Sequence, residues 1–186
     1  MVDRQGRPLT LTIEEASAFT DYMTVDNVIA QELSQIGIKA TVKGVSVNAW
    51  VADLGAGQFQ LTTSYSVNMG PTPYEIYEAW LDSRLSAPLG KNAVADYGRW
   101  NDPQTQSALS AYRNATTDAG RRAAVGVLER VVATELPVIP LMYGAAWGEY
   151  VNKDYTGWPS VSNPYEPAGV SCPGSEVVAL RIKPRS

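Results

Sequence analysis

The sequence predicts an α/β fold in which helices flank a mixed sheet. Stretches in which every second residue is apolar alternate with stretches in which apolar residues recur at helical spacing. A strand, a helix and a second strand open the chain in that order, which predicts a crossover with parallel pairing. The chain has 186 residues, 45% of them apolar and 18% charged, which suits one globular domain with a sizeable core.

The first predicted crossover joins strands near residues 9–14 and 37–43. Leu9, Leu11 and Ile13 alternate with threonines in the first strand. A helix near 24–36 connects the two strands, and its apolar positions are Val25, Val28, Ile29, Leu33 and Ile36. We expect Thr24 to cap this helix and Gly37 to end it in the left-handed region.

The middle of the chain predicts a short helix over 47–57 and a third strand near 58–64. The segment that follows leads into a helix near 73–84. Thr72 and Glu75 have the spacing of a capping box, with a proline between them at the first helical position. A helix is therefore expected to begin immediately after Thr72.

The sequence predicts two further helices, near 103–115 and 118–135. The second follows Thr117, a suitable N-cap residue. Its apolar stripe consists of Ala124, Val127, Leu128, Val131 and Val132. We expect it to stop before Pro137. The apolar run near 137–143 then predicts a strand buried on both faces.

The chain beyond Tyr143 is aromatic and rich in proline and glycine. Val177, Ala179, Leu180 and Ile182 predict one last strand near its end.

Composition argues against several classes of function. The net charge of −4 and the lack of a basic run disfavour nucleic acid as a partner. The chain has no histidine, and its single cysteine, Cys172, allows no internal disulfide or cysteine cluster. The four methionines are scattered. We therefore expect no catalytic triad, no metal and no cofactor.

Two long stretches carry a family resemblance. ELPVIPLMYGAAWGEYVNKDYTGWP and the helix–glycine–strand unit QELSQIGIKATV resemble bacterial extracellular solute-binding proteins of family 5. These are the receptors of ABC importers for oligopeptides, dipeptides and oligosaccharides. The resemblance implies a type II periplasmic-binding-protein-like lobe, the C-terminal lobe of that family. Residues 1–143 would form the ligand-binding second lobe, and 144–186 would return toward a first lobe.

The resemblance also implies a role and a location. Such a receptor captures its ligand between two lobes and delivers it to the permease subunits of the importer. It works outside the cytoplasm, either in the periplasm or as a lipoprotein on the cell surface, and its signal sequence is expected outside this segment. Without a first lobe, exposed aromatic side chains favour self-association through the tail, or a tail folded back on the lobe. They are Trp147, Tyr150, Trp158 and Tyr165.

Three stretches supply the candidate ligand-binding residues. One of them is the loop after the third strand, because ligands of open α/β sheets sit beyond the carboxyl ends of strands. The candidates are Trp50, Tyr65, Ser66, Asn68, Met69 and Trp158. Trp50 is a possible stacking platform, although a core position is favoured. The aromatic stretch 155–165 could cover a ligand or pack against the missing lobe, and the sequence leaves both interpretations open.

The ligand class follows from the loop after the third strand. Peptide-binding members typically hold the peptide's amino terminus with an aspartate there, whereas residues 64–70 have no carboxylate. The stretches GPTPYEIY, 90–100 and YTGWPSVSNPY are also similar to the oligosaccharide-binding branch. We therefore expect a neutral oligosaccharide rather than a peptide. The alternative from another class is a glycoside hydrolase that uses Glu14, Glu15 or Asp53, although solvated surface charge is the favoured interpretation of these residues.

Overall fold

The computed structural model describes residues 1–66, 72–142, 149–166 and 174–185. The predictions for Asn68, Met69, Tyr143, Trp147 and Cys172 lie outside these ranges. Contacts divide the described residues into two compact units. The first comprises 1–66 and 72–138, and the second comprises the described residues from 139 onward.

The first unit opens with the predicted crossover. Strand β1 (Thr10–Ala16) pairs in parallel with β2 (Lys39–Val45), and helix α1 (Thr20–Gln35) connects them. Gly37 has φ 78°, as its place after the helix requires. The helix begins one turn earlier than predicted, so Thr24 is not its cap, and the Thr24 hydroxyl donates to the Thr20 carbonyl inside the helix.

The buried face of α1 differs from the predicted apolar stripe. Val28 and Ile36 are 52% and 57% exposed, and the one residue of the helix that is fully buried is Asp26. The most buried side chain of this helix is therefore a carboxylate that lies outside the predicted apolar stripe.

Helix α2 (Val47–Ala56) follows, capped by the Ser46 hydroxyl and ended by Gly57 at φ 71°. The predicted third strand is reduced to a single parallel bridge between Ile13 and Leu61. The Glu14 N–H donates to the Leu61 carbonyl at 2.9 Å, but the neighbouring Thr12 N–H donates to the Gln60 side chain at 2.8 Å. The side chain replaces a backbone partner there, which limits the ladder to one bridge.

Three capped helices complete the first unit. They are α3 (Pro73–Leu81), α4 (Pro103–Asn114) and α5 (Asp118–Glu135), with N-caps Thr72, Asp102 and Thr117. The capping box and all three starts are confirmed. Their core consists of Tyr74, Leu81, Ala108, Leu109, Leu128 and Val132. Four of the five residues predicted for the α5 stripe are fully buried, and Val127 packs against the same core.

The strand predicted for 137–143 is not found in its described part, 137–142. Leu136 ends α5 in the left-handed region, and Ile139 and Met142 are 68% and 71% exposed. Pro137 and Pro140 lack the N–H groups that a β-ladder needs, and no neighbouring strand pairs with these residues in the described ranges. The buried strand predicted from this apolar run is therefore wrong for its described part.

The second unit contains β3 (Tyr155–Thr156), α6 (Ser175–Arg181) and β4 (Lys183–Pro184), with β3 and β4 antiparallel. The last strand predicted from Val177 to Ile182 was therefore wrong, because most of it is helical. Among the helices of the described residues, none has the length and apolar character needed to cross a lipid bilayer.

Candidate functional site

An aromatic group gathers where β1 ends and α2 begins. Trp50 is 3% exposed, and Phe19 meets its ring edge-on at a centroid distance of 5.6 Å. The Trp50 indole N–H donates to the Thr62 hydroxyl at 2.9 Å. Trp50 therefore adopts the core position, and its ring packs against other side chains of the protein.

Tyr65 is the exposed member of this group. Its ring centroid lies 6.5 Å from that of Trp50 at an interplanar angle of 33°, and the residue is 57% exposed. Ser66 is half-buried beside it. The structure therefore brings Trp50, Tyr65 and Ser66 to one end of the first unit, beyond the carboxyl end of β1.

Two buried carboxylates lie under the aromatic group. Glu15 and Asp26 are both fully buried, which corrects the interpretation of Glu15 as surface charge. One Glu15 oxygen accepts the Ala16 N–H at 2.7 Å, and one Asp26 oxygen accepts the Thr63 hydroxyl at 2.5 Å. The second oxygen of each carboxylate has no hydrogen-bond partner among the described residues.

This environment disfavours ionisation. Burial, against the opposing Ala16 hydrogen bond and with smaller contributions from the charges of Asp26 and Asp21, raises the pKa of Glu15 to about 7. Burial also raises the pKa of Asp26, against the hydrogen bond from Thr63. The neutral form of Glu15 is therefore favoured at mildly acidic pH, where this carboxyl group can donate as well as accept hydrogen bonds.

A signal for the burial of Glu15 was present in the strand register. Side chains two apart on a strand share a face, so Glu15 lies on the same face as Ile13, which is 2% exposed. Glu14 is also buried, at 6% exposed, and its side chain makes a 2.6 Å ion pair with Lys43. An open depression of about 390 Å³ lies beside this pair, lined by Thr12, Glu14, Lys43, Gly57, Gln58, Phe59 and Gln60.

A second group of buried charges lies in the loop between α3 and α4. Asp82 is fully buried. Burial opposes its ionisation, but the hydrogen bonds from Arg84 outweigh this effect and hold the pKa of Asp82 below its usual value. Asp96 is 1% exposed, and its pKa is raised to about 7 by burial. It accepts the Trp100 N–H at 2.9 Å through one oxygen, and its other oxygen lacks a partner in the described part of the chain.

Trp158, the remaining candidate, belongs to the second unit. Its ring stacks on Tyr150 at a centroid distance of 5.1 Å and an angle of 14°. Tyr150 is 43% exposed, and Trp158 and Tyr165 are half-buried. The Tyr165 hydroxyl donates to the Gly157 carbonyl at 2.9 Å. The tail aromatics are thus partly packed against one another rather than fully exposed.

These arrangements suit recognition by flat rings and neutral polar groups. Tyr65 offers an aromatic surface with a polar tip, in a segment where Thr62, Thr63, Ser64 and Ser66 supply hydroxyl groups. The accessible residues of the described loop, 64–66, include no carboxylate. Glu15 and Asp26 lie beneath the surface, whereas Asp21, whose charge acts on Glu15 and Tyr22, is exposed.

Comparison with known proteins identifies the fold. A periplasmic oligopeptide-binding protein of an oligopeptide ABC transporter from Thermotoga maritima, solved with mannohexaose bound, is 23% identical over 99% of this chain, with a TM-score of 0.80. MppA, a periplasmic murein tripeptide binding protein in its unliganded open form, is 16% identical over 91% of the chain, with a TM-score of 0.64. AppA from Bacillus subtilis, an oligopeptide-binding protein in complex with a nonapeptide, is 14% identical over 73%, with a TM-score of 0.60.

The chain spans about a third of the length of these proteins, with coverages of 35%, 31% and 26%. No protein-family model and no curated protein sequence matches it. The α/β, periplasmic-binding-protein-like fold and the resemblance to family 5 solute-binding proteins are confirmed at the level of the fold.

Proposed function

We propose that this chain, which has the fold of the solute-binding proteins of ABC importers, is the ligand-binding second lobe of such a receptor. The observation that carries the proposal is the TM-score of 0.80 over 99% of the chain to a binding protein solved with a ligand bound. In the proposed assignment residues 1–143 supply one wall of the ligand cleft. Residues 144–186 return toward the other lobe of an extracytoplasmic protein.

The proposed mechanism is capture without chemistry. Ligand held between two lobes stabilises the closed form by the difference between its affinities for the closed and open forms. The closed receptor is then recognised by the permease subunits of the importer. The hinge would lie where the chain passes between lobes, since domain closure uses a few connecting residues.

We propose a neutral oligosaccharide as the ligand, in preference to a peptide. A peptide's ammonium group needs a charged partner in a cleft, because leaving it unpaired there is costly. Glu15 and Asp26 are too deeply buried to serve, and the exposed Tyr65 ring suits a sugar face. The mannohexaose bound by the Thermotoga maritima protein is consistent with this preference.

Calorimetry on the complete receptor that contains this segment tests the ligand class. Mannohexaose, cello-oligosaccharides and xylo-oligosaccharides are titrated beside di- to pentapeptides. We expect binding of a sugar, recovered intact after long incubation. Tight binding of a peptide with none of any sugar would contradict the sugar preference alone, and hydrolysis of the sugar would favour the glycosidase alternative.

A substitution tests the placement of the site. Tyr65→Ala should weaken sugar binding about fivefold, because aromatic stacking contributes ~1 kcal/mol. Leu89→Ala is the control, since Leu89 is 75% exposed in the first unit and does not belong to the aromatic group around Tyr65. Equal effects of the two substitutions would remove Tyr65 from the site.

We also propose that the isolated segment self-associates through its tail. Tyr150, Val151 and Val161 are exposed there, at 43%, 74% and 101%. Light scattering should show a mass above that of the 20.1 kDa monomer at high concentration. A strict monomer at every concentration would refute this proposal.

A further inference from the structure

The second unit contains a depression of about 300 Å³. It is lined by Tyr150, Asn152, Thr156, Gly157, Trp158, Asn163 and Arg185. These residues combine an aromatic stack, two amides, a hydroxyl group and a guanidinium, all within a unit whose core is small. All the residues that line it belong to the second unit.

The aromatic wall of the depression is preformed. Tyr150 and Trp158 are stacked nearly parallel, at 14°, so their rings hold each other in place. The Trp158 carbonyl accepts the Asn163 amide at 3.1 Å, which ties the loop after Trp158 back onto it. The Trp158 indole N–H is buried and has no hydrogen-bond partner in the described ranges.

Arg185 places a positive charge at the same depression. Its guanidinium donates to the Asn152 carbonyl at 2.9 Å, and its backbone N–H donates to the Asp154 carbonyl at 2.9 Å. These bonds to uncharged carbonyl groups fix its position and leave further guanidinium N–H donors available.

The Arg185 guanidinium has no ion-pair partner among the described residues. The segments outside the described ranges contain no aspartate or glutamate. The acidic residues of the described second unit are Glu149, Asp154, Glu166 and Glu176, and none of them makes an ion pair with Arg185. An external anion is the group that would complete this environment.

We propose that this depression binds a carboxylate carried on a sugar ring, as in a hexuronic acid. The apolar face of the ring would lie against the Tyr150–Trp158 stack. The carboxylate would accept two hydrogen bonds from the Arg185 fork, and ring hydroxyl groups would meet the free polar groups of Asn152, Thr156 and Asn163. This site does not depend on the transport role proposed above.

Titration of the 186-residue chain with sodium glucuronate tests the proposal. The indole N–H resonances of the five tryptophans are followed by ¹⁵N-edited NMR at constant ionic strength. We expect the Trp158 resonance, assigned with a Trp158→Phe variant, to shift saturably with glucuronate. Glucose should bind at least about tenfold more weakly, because it lacks the charge-assisted hydrogen bonds. Equal binding of glucose and glucuronate would overturn the role of Arg185.

Matched variants separate the specific site from general charge. Arg185→Gln should weaken glucuronate binding about tenfold, and Arg185→Lys about threefold, because lysine retains the charge without the planar fork. Lys153→Gln removes the same charge from an exposed position in this unit and should leave binding unchanged. Equal losses from Lys153→Gln and Arg185→Gln would refute the proposal.

Titration with trialanine tests whether the depression binds a carboxylate from a peptide rather than from an acidic sugar. It carries the group at a peptide carboxy terminus without a sugar ring. Weaker binding than glucuronate supports the ring-stacking part of the proposal. Binding of trialanine with the same dependence on Arg185, and none of glucuronate, would overturn the assignment to an acidic sugar.

Discussion

Replacing Asp96 by asparagine should stabilise the first unit at alkaline pH and not at acidic pH. Asp96 is 1% exposed, and one of its oxygens has no partner among the described residues. Burial raises its pKa to about 7, whereas an aspartate in an unfolded chain has a pKa of about 3.9. The folded state therefore holds a proton that the unfolded state has lost between these two values.

The sign of the effect follows from this proton difference. Between about pH 4 and pH 7 the folded state binds more protons, so the free energy of unfolding decreases as the pH rises. A difference of about 3 in pKa corresponds to about 4 kcal/mol of lost stability above pH 7. Asparagine removes this ionisation, can still accept the Trp100 N–H, and tolerates the φ of 44° at position 96.

Urea denaturation followed by far-ultraviolet circular dichroism measures the effect at about pH 4, 6 and 8. The difference between Asp96→Asn and wild type should be near zero at pH 4 and reach about 2–4 kcal/mol at pH 8. Glu32→Gln, at an exposed position of α1, controls for the loss of one negative charge. A difference that is the same at pH 4 and pH 8 would refute the reasoning.

Two further predictions concern the three-helix core. Leu128→Ala should lower the free energy of unfolding by about 3 kcal/mol, because Leu128 is fully buried where α5 packs against its neighbours. As a control, Leu89→Ala, at a residue 75% exposed, should change the free energy of unfolding by less than about 0.5 kcal/mol in the same urea titration. Thr72→Ala removes the capping box of α3 and should cost about 1 kcal/mol, and a midpoint unchanged in that assay would contradict the role of the cap.

Local signals in the sequence predicted most helix ends correctly. Thr72, Asp102 and Thr117 cap their helices, because a short side-chain oxygen reaches the free N–H groups of its own first turn whatever the rest of the fold does. Gly37 and Gly57 likewise adopt the left-handed conformation that ends a helix. The parallel pairing of β1 and β2 followed from the order of elements.

Apolar patterns were less decisive, because they do not identify the partner surface. The run at 137–142 and the run from Val177 to Ile182 both predicted strands. A strand forms only where a neighbour supplies backbone hydrogen bonds, and the first run has none among the described residues while the second coils into α6.

The candidate site divides in the same way. Tyr65 and Ser66 were predicted from their place beyond the end of a strand, and residue type alone made Trp50 a core candidate. The burial of Glu15, Asp26 and Asp96 was decided only by tertiary packing. Whether a carboxylate stays hydrated depends on which elements from elsewhere in the chain pack over it. The sequence by itself therefore determined the fold class and the starts of α2 to α5, whereas the tertiary structure decided which charges lie in the interior and what their pKa values are.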